Sequence, residues 1–131
     1  MDERRAHAAL RAVLHALRDC LPLQEIAQFS AQLPTFIRGL YYEGWSPTHT
    51  QLRKRDAESF LAQIRAGFEK TRPAVDARTI SRAVFRVIQE RISQGEVEHI
   101  KSLLPARIRQ FWPEEESGDL EPKRPNTRKV A

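Results

Sequence analysis

Apolar residues recur along this chain at helical spacing, and the pattern is written twice. Leu10, Val13, Leu14, Leu17 and Leu21 fall on one 3.6-residue stripe, with Arg11, His15, Arg18 and Asp19 off it, which predicts a helix over 1–21. The stripe returns 71 positions later as Val84, Phe85, Ile88 and Ile92. The correspondence runs without a gap from His7–Tyr41 onto Arg78–Trp112. Arg11/Arg82, Ala12/Ala83, Val13/Val84, Glu25/Glu96, Leu33/Leu104, Pro34/Pro105, Ile37/Ile108 and Arg38/Arg109 are identical. Apolar residues also meet apolar ones at Leu17/Ile88, Ile26/Val97, Phe29/Ile100, Leu40/Phe111 and Tyr41/Trp112. Two copies of one three-helix unit are expected.

Prolines and caps mark the boundaries. Pro22 breaks the first helix and opens a second over 22–32, with Ile26, Phe29 and Leu33 inward. In the second copy, Ser93 and Glu96 form a capping-box pattern at the equivalent helix start. Pro34 and Pro105 push the preceding leucines out of the α region and seed short third helices. Ile37, Leu40 and Tyr41 face the core there, as do Ile108, Phe111 and Trp112. Gly44 reads as a glycine stop and residues 45–51 as a loop. Asp56 reads as the N-cap of a linking helix over 56–70, whose apolar face is Ala57, Phe60, Leu61, Ile64 and Phe68. No segment alternates like a strand. The expected fold is all-α: a compact bundle of about seven helices in a single domain over 1–112, with repeat units 7–41 and 78–112 and a disordered charged tail over 113–131.

Composition adds bounds rather than a function. The 131 residues, 40% of them hydrophobic, suit one domain with a modest core. The single cysteine, Cys20, cannot close an intrachain disulfide and excludes a cysteine-based zinc site. It aligns with Arg91 in the second copy, so a surface or edge position is expected. Of the net charge of +5, the body carries +6, because the tail sets five acids, Glu114, Glu115, Glu116, Asp119 and Glu121, against four bases, Lys123, Arg124, Arg128 and Lys129. No run is apolar for long enough to span a bilayer, and Arg11, Arg18 and Asp19 interrupt any export signal behind Arg4-Arg5. A cytoplasmic location and no membrane contact are expected.

Tyr41-Tyr42-Glu43-Gly44-Trp45 is the most unusual local run. With Arg53, Lys54 and Arg55 it suggests an interaction surface, in which aromatics stack and cations meet phosphate. The competing reading sends Tyr41 and Trp45 into the core, and the match of Tyr41 to Trp112 favours it. Asp56 already fills the helix start beside the three bases, which reduces their appeal to an anion. Glu25 with Arg38, and Glu96 with Arg109, stand at one spacing in both copies, so an Arg–Glu bridge pinning the second helix to the third is expected in each unit. His7, His15, His49 and His99 have no ligand spacing, and no glycine-rich phosphate loop, paired-acid motif or activated nucleophile is present. No metal, cofactor or catalytic residue is therefore expected.

The run from Leu33-Pro34 through Trp45, followed by Phe60-Leu61, resembles a bacterial family known as domain of unknown function 2267. Leu104-Pro105 with Phe111-Trp112 resembles that family's C-terminal end, so the likeness covers about residues 7–113. It implies a small all-helical protein and brings no catalytic residues. The expected function is a non-enzymatic protein-interaction or adaptor module, with self-association as one form of it. The alternative is a nucleic-acid-associated protein that grips the phosphate backbone through Arg53, Lys54, Arg55, Arg11, Arg18, Arg82 and Arg86.

Overall fold

Proline, aspartate or serine stands immediately before every described helix but the first. The computed structural model describes residues 3–47, 56–68 and 76–114. The helices are α1 (Glu3–Arg18), α2 (Leu23–Ser30), α3 (Thr35–Tyr42), α4 (Ala57–Ala66), α5 (Ala77–Gln89), α6 (Gln94–Leu103) and α7 (Ala106–Arg109). No strand occurs among the described residues. Pro22, Pro34 and Pro105 stand immediately before α2, α3 and α7, with ψ between 149 and 157°, so each turns an extended chain into a helix start. Leu104, before Pro105, is extended as its neighbour requires. Asp56 accepts from the Ser59 N–H at 2.8 Å, and Asp76 from the Arg78 N–H at 3.1 Å. Gly44 has φ +70°, the left-handed turn that ends the first unit.

α1 lies at the centre, packed on α3, α4 and α5, while α4 also meets α5 and α7. The stripe read from the sequence is the buried one: Val13, Leu14, Leu17 and Leu21 have almost no exposed surface. Burial of one such side chain contributes roughly 1.5–3 kcal/mol. The second half adds an aromatic stack. Phe85 lies flat on Trp112 (4.3 Å, 10°), and Phe60 of α4 meets Phe111 at 6.0 Å. The end of α4 approaches α1 so closely that a Cβ on Gly67 would sit 3.1 Å from that of Ala12.

Residues 71 apart in sequence make matching bonds. Arg38 donates through Nε to Ser30 O (2.9 Å) and through Nη2 to Leu33 O (2.9 Å). Arg109 donates through the same atoms to Lys101 O (3.1 Å) and Leu104 O (3.0 Å), the counterparts of those two acceptors. The expected Arg38–Glu25 and Arg109–Glu96 bridges are therefore absent. The arginines donate to carbonyls at and just beyond the C-terminal ends of α2 and α6, where Ser30 O and Lys101 O also accept from the Leu33 and Leu104 N–H.

The glutamates pair across the two units instead. His99 contacts Glu25 (Nε2 to Oε1, 2.8 Å), and Gln28 donates to Glu96 (3.3 Å). Glu25 is the counterpart of Glu96, and Gln28 that of His99, so the contact is reciprocal. The capping box is half formed. Ser93 Oγ accepts from the Glu96 N–H at 3.1 Å, but the Ser93 N–H goes to Gln32 Oε1 at 2.8 Å rather than to Glu96. That bond has no reciprocal, since Pro22 stands where Ser93 does and has no N–H.

Candidate interaction surfaces

The aromatic run at the end of α3 is tied inward. Tyr41 is fully buried and donates its hydroxyl to Ile26 O at 2.9 Å. Desolvation holds that phenol far above its ordinary pKa, so it stays a donor. Tyr42 donates to Ser30 Oγ at 2.8 Å and leans on Trp45 with ring centroids 5.4 Å apart. Gly44 turns the chain back for that contact, and the Trp45 N–H bonds to Tyr42 O at 3.1 Å. Both rings are half-buried against the core, and the indole N–H of Trp45 is buried without an acceptor. Arg53, Lys54 and Arg55, the basic part of the anticipated surface, lie outside the described residues.

The arginines expected to face a nucleic acid divide into two kinds. Arg18 is only 4% exposed. It donates to Tyr41 O and Glu43 O, both at 2.9 Å, and to Asp19 at 3.0 Å. Removal from the hydrophobic stripe did not send it to the surface, because the end of α3 leaves carbonyls that only an interior donor can reach. Arg11 meets the Glu43 carboxylate at 2.6 Å. Arg82 and Arg86 are exposed, and among the described residues neither has a hydrogen bond or an ion pair. The Arg82 guanidinium lies 5.7 Å from the Phe111 ring centre.

The ends of residues 7–41 and 78–112 are held by different contacts, the second by the Phe85–Trp112 stack rather than by ion pairs. In the first, Arg11 holds Glu43, His15 Nε2 meets Leu40 O at 2.7 Å, and Arg18 gathers two carbonyls. Burial keeps the His15 pKa below its ordinary value, against the pull of the Leu40 carbonyl. A crevice of about 160 Å³ remains beside Arg11 and His15, walled by Gln63 and Gly67 of the α4 segment. The counterparts of Arg11, His15, Arg18 and Glu43 are Arg82, Arg86, Gln89 and Glu114. Here Arg82, Arg86, Phe111, Trp112, Pro113 and Glu114 line a cleft of about 400 Å³. Trp112 is 3% exposed, and its indole N–H has no acceptor, whereas the Tyr41 hydroxyl has one.

An apolar groove of about 210 Å³ runs along the other flank of α5, against α1. Ala6, Ala9 and Leu10 form one wall; Ile80, Ala83 and Val87 are on the other. Val87 is 38% exposed. Sequence reasoning named Arg82 and Arg86 but neither the cleft nor the groove. The signal available was the α5 spacing itself: Arg82 and Arg86 share one flank, and Ala83 and Val87 the next.

Cys20 is buried, not at an edge; it follows α1 into the turn before Pro22, where its counterpart Arg91 is exposed. Among the described residues, no three metal-capable side chains gather, and no helix is long and apolar enough to cross a membrane. Residues 1–111 match the family model described as "Uncharacterized conserved protein (DUF2267)". No curated protein matches the chain.

Proposed function

The chain belongs to the DUF2267 family, and from that premise we propose that it is a non-enzymatic, cytoplasmic protein-interaction module that receives a partner on the outer ridge of α5. The observation that supports this reading is the composition of the ridge. Ala83 and Val87 border an apolar groove on one side, while Arg82 and Arg86 border a polar cleft on the other. An apolar groove between two helices takes the apolar face of a partner helix, and adjacent cations set its register. On this reading the two halves are copies of one unit related by a pseudo-two-fold axis. The reciprocal Glu25–His99 and Gln28–Glu96 contacts fit that relation.

The test is affinity capture from the native host with the wild-type chain and with Val87→Glu, each with and without nuclease. Proteins retained by the wild type, lost by the variant and indifferent to nuclease support the reading. Capture that survives Val87→Glu contradicts it. Light scattering on the purified protein reports whether the partner is a second copy. Arg82 and Arg86 also keep the nucleic-acid reading in view, although it loses Arg18 to the interior and Arg11 to Glu43. Nuclease-sensitive capture, with affinity falling steeply in salt, is its signature.

A further inference from the structure

Unit one supplies a template for what unit two lacks. There a carboxylate meets the arginine of the first helix, and that arginine and carboxylate are Arg11 and Glu43, 2.6 Å apart. In unit two the counterparts Arg82 and Glu114 both line the cleft but make no ion pair with each other or with any other described residue. Gln89 replaces the buried Arg18, so no interior guanidinium draws the end of the unit against its first helix. Arg86 replaces His15, which adds a second permanent cation to the same wall. Trp112 contributes a buried N–H without an acceptor where Tyr41 has a satisfied hydroxyl. The result is a cleft of about 400 Å³ in which, among the described residues, Arg82 and Arg86 have no ion pair and Glu114 is the one carboxylate.

We propose that this cleft is the open counterpart of the Arg11–Glu43 clasp and binds the carboxylate side chains of an acidic peptide segment, a site that rests on α5 being the partner-binding ridge. A carboxylate is favoured over other anions because the equivalent arginine in unit one already holds one. Guanidinium and carboxylate match in planar, two-point geometry. A peptide suits the place because the apolar groove flanks the same helix, so acidic and apolar side chains of one segment meet α5 on adjacent flanks. Glu114 competes with the incoming carboxylates from within the lining.

The experiment uses the full chain and a fluorescein-labelled helical peptide of glutamate, alanine and leucine, read by anisotropy. The companion probe has every glutamate replaced by glutamine. Arg82→Gln/Arg86→Gln is expected to weaken binding of the acidic peptide at least tenfold, Glu114→Gln to tighten it several-fold, and Arg11→Gln to leave it unchanged. Arg82→Lys/Arg86→Lys, which keeps the charge, recovers part of the loss. Equal binding of the glutamine peptide overturns the proposal, as does indifference to both double variants. Inorganic phosphate or single-stranded DNA competing through the same arginines at matched charge makes the site a general anion site and also overturns it. Captured partners that depend on Val87 while the acidic peptide fails to bind sink this inference alone. Loss of both removes the α5 reading as well.

Discussion

Arg18, Arg38 and Arg82 are indistinguishable as residue types, yet one is interior, one closes a helix end and one lines a surface cleft. Pattern analysis sends every arginine outward, and nothing local to Arg18 contradicts that. Its burial depends on carbonyls more than twenty positions away, at Tyr41 and Glu43. Arg18→Ala leaves both short of a donor, so equilibrium urea unfolding is expected to show a loss of roughly 2–4 kcal/mol. Arg86→Ala removes no bond to a described residue and is expected to change stability by less than about 0.5 kcal/mol.

His15 makes a residue-scale prediction in pH. Its folded pKa lies below the unfolded value near 6.5, so the unfolded chain binds its proton first. This contribution to stability is complete above about pH 6.5 and is lost as the pH falls through the folded pKa. Unfolding measured along a pH series is expected to show that slope, and His15→Gln is expected to remove it. An unchanged slope in the variant contradicts the assignment.

At the scale of elements, most boundaries were legible because their causes are local. Pro22, Pro34, Asp56, Gly44 and Ser93 act through their own backbone or the next turn. Ser93→Ala is expected to cost about 1 kcal/mol for loss of the cap. Gly44→Ala is expected to cost about 1–2 kcal/mol for the left-handed turn. What connects the elements was misread. Opposite charge at equal spacing in both copies suggested Arg38–Glu25 and Arg109–Glu96. Carbonyls at and just beyond the ends of α2 and α6 take the same guanidiniums instead. Arg38→Ala and Arg109→Ala are expected to destabilise in parallel, by about 1.5–3 kcal/mol at half-buried Arg38 and by less at exposed Arg109.

At the scale of the molecule, the all-helical bundle was readable because amphipathic stripes at one period can only close on one another. The candidate site was not, because it arises from differences between the halves rather than from a motif in either. His15 against Arg86, and Arg18 against Gln89, are ordinary substitutions until the first unit shows what those positions hold. The chain has two tryptophans, Trp45 beside the aromatic run and Trp112 in the cleft, so its two indole N–H resonances report the two surfaces separately. The central claim is that Arg11 is held by Glu43 while its counterpart Arg82 is left for a partner's carboxylate. A proton–nitrogen correlation spectrum recorded while the acidic peptide is added tests it directly. The Trp112 indole signal is expected to move to saturation while that of Trp45 stays in place. Movement of Trp45 with Trp112 still contradicts the account and returns the binding surface to Tyr42 and Trp45.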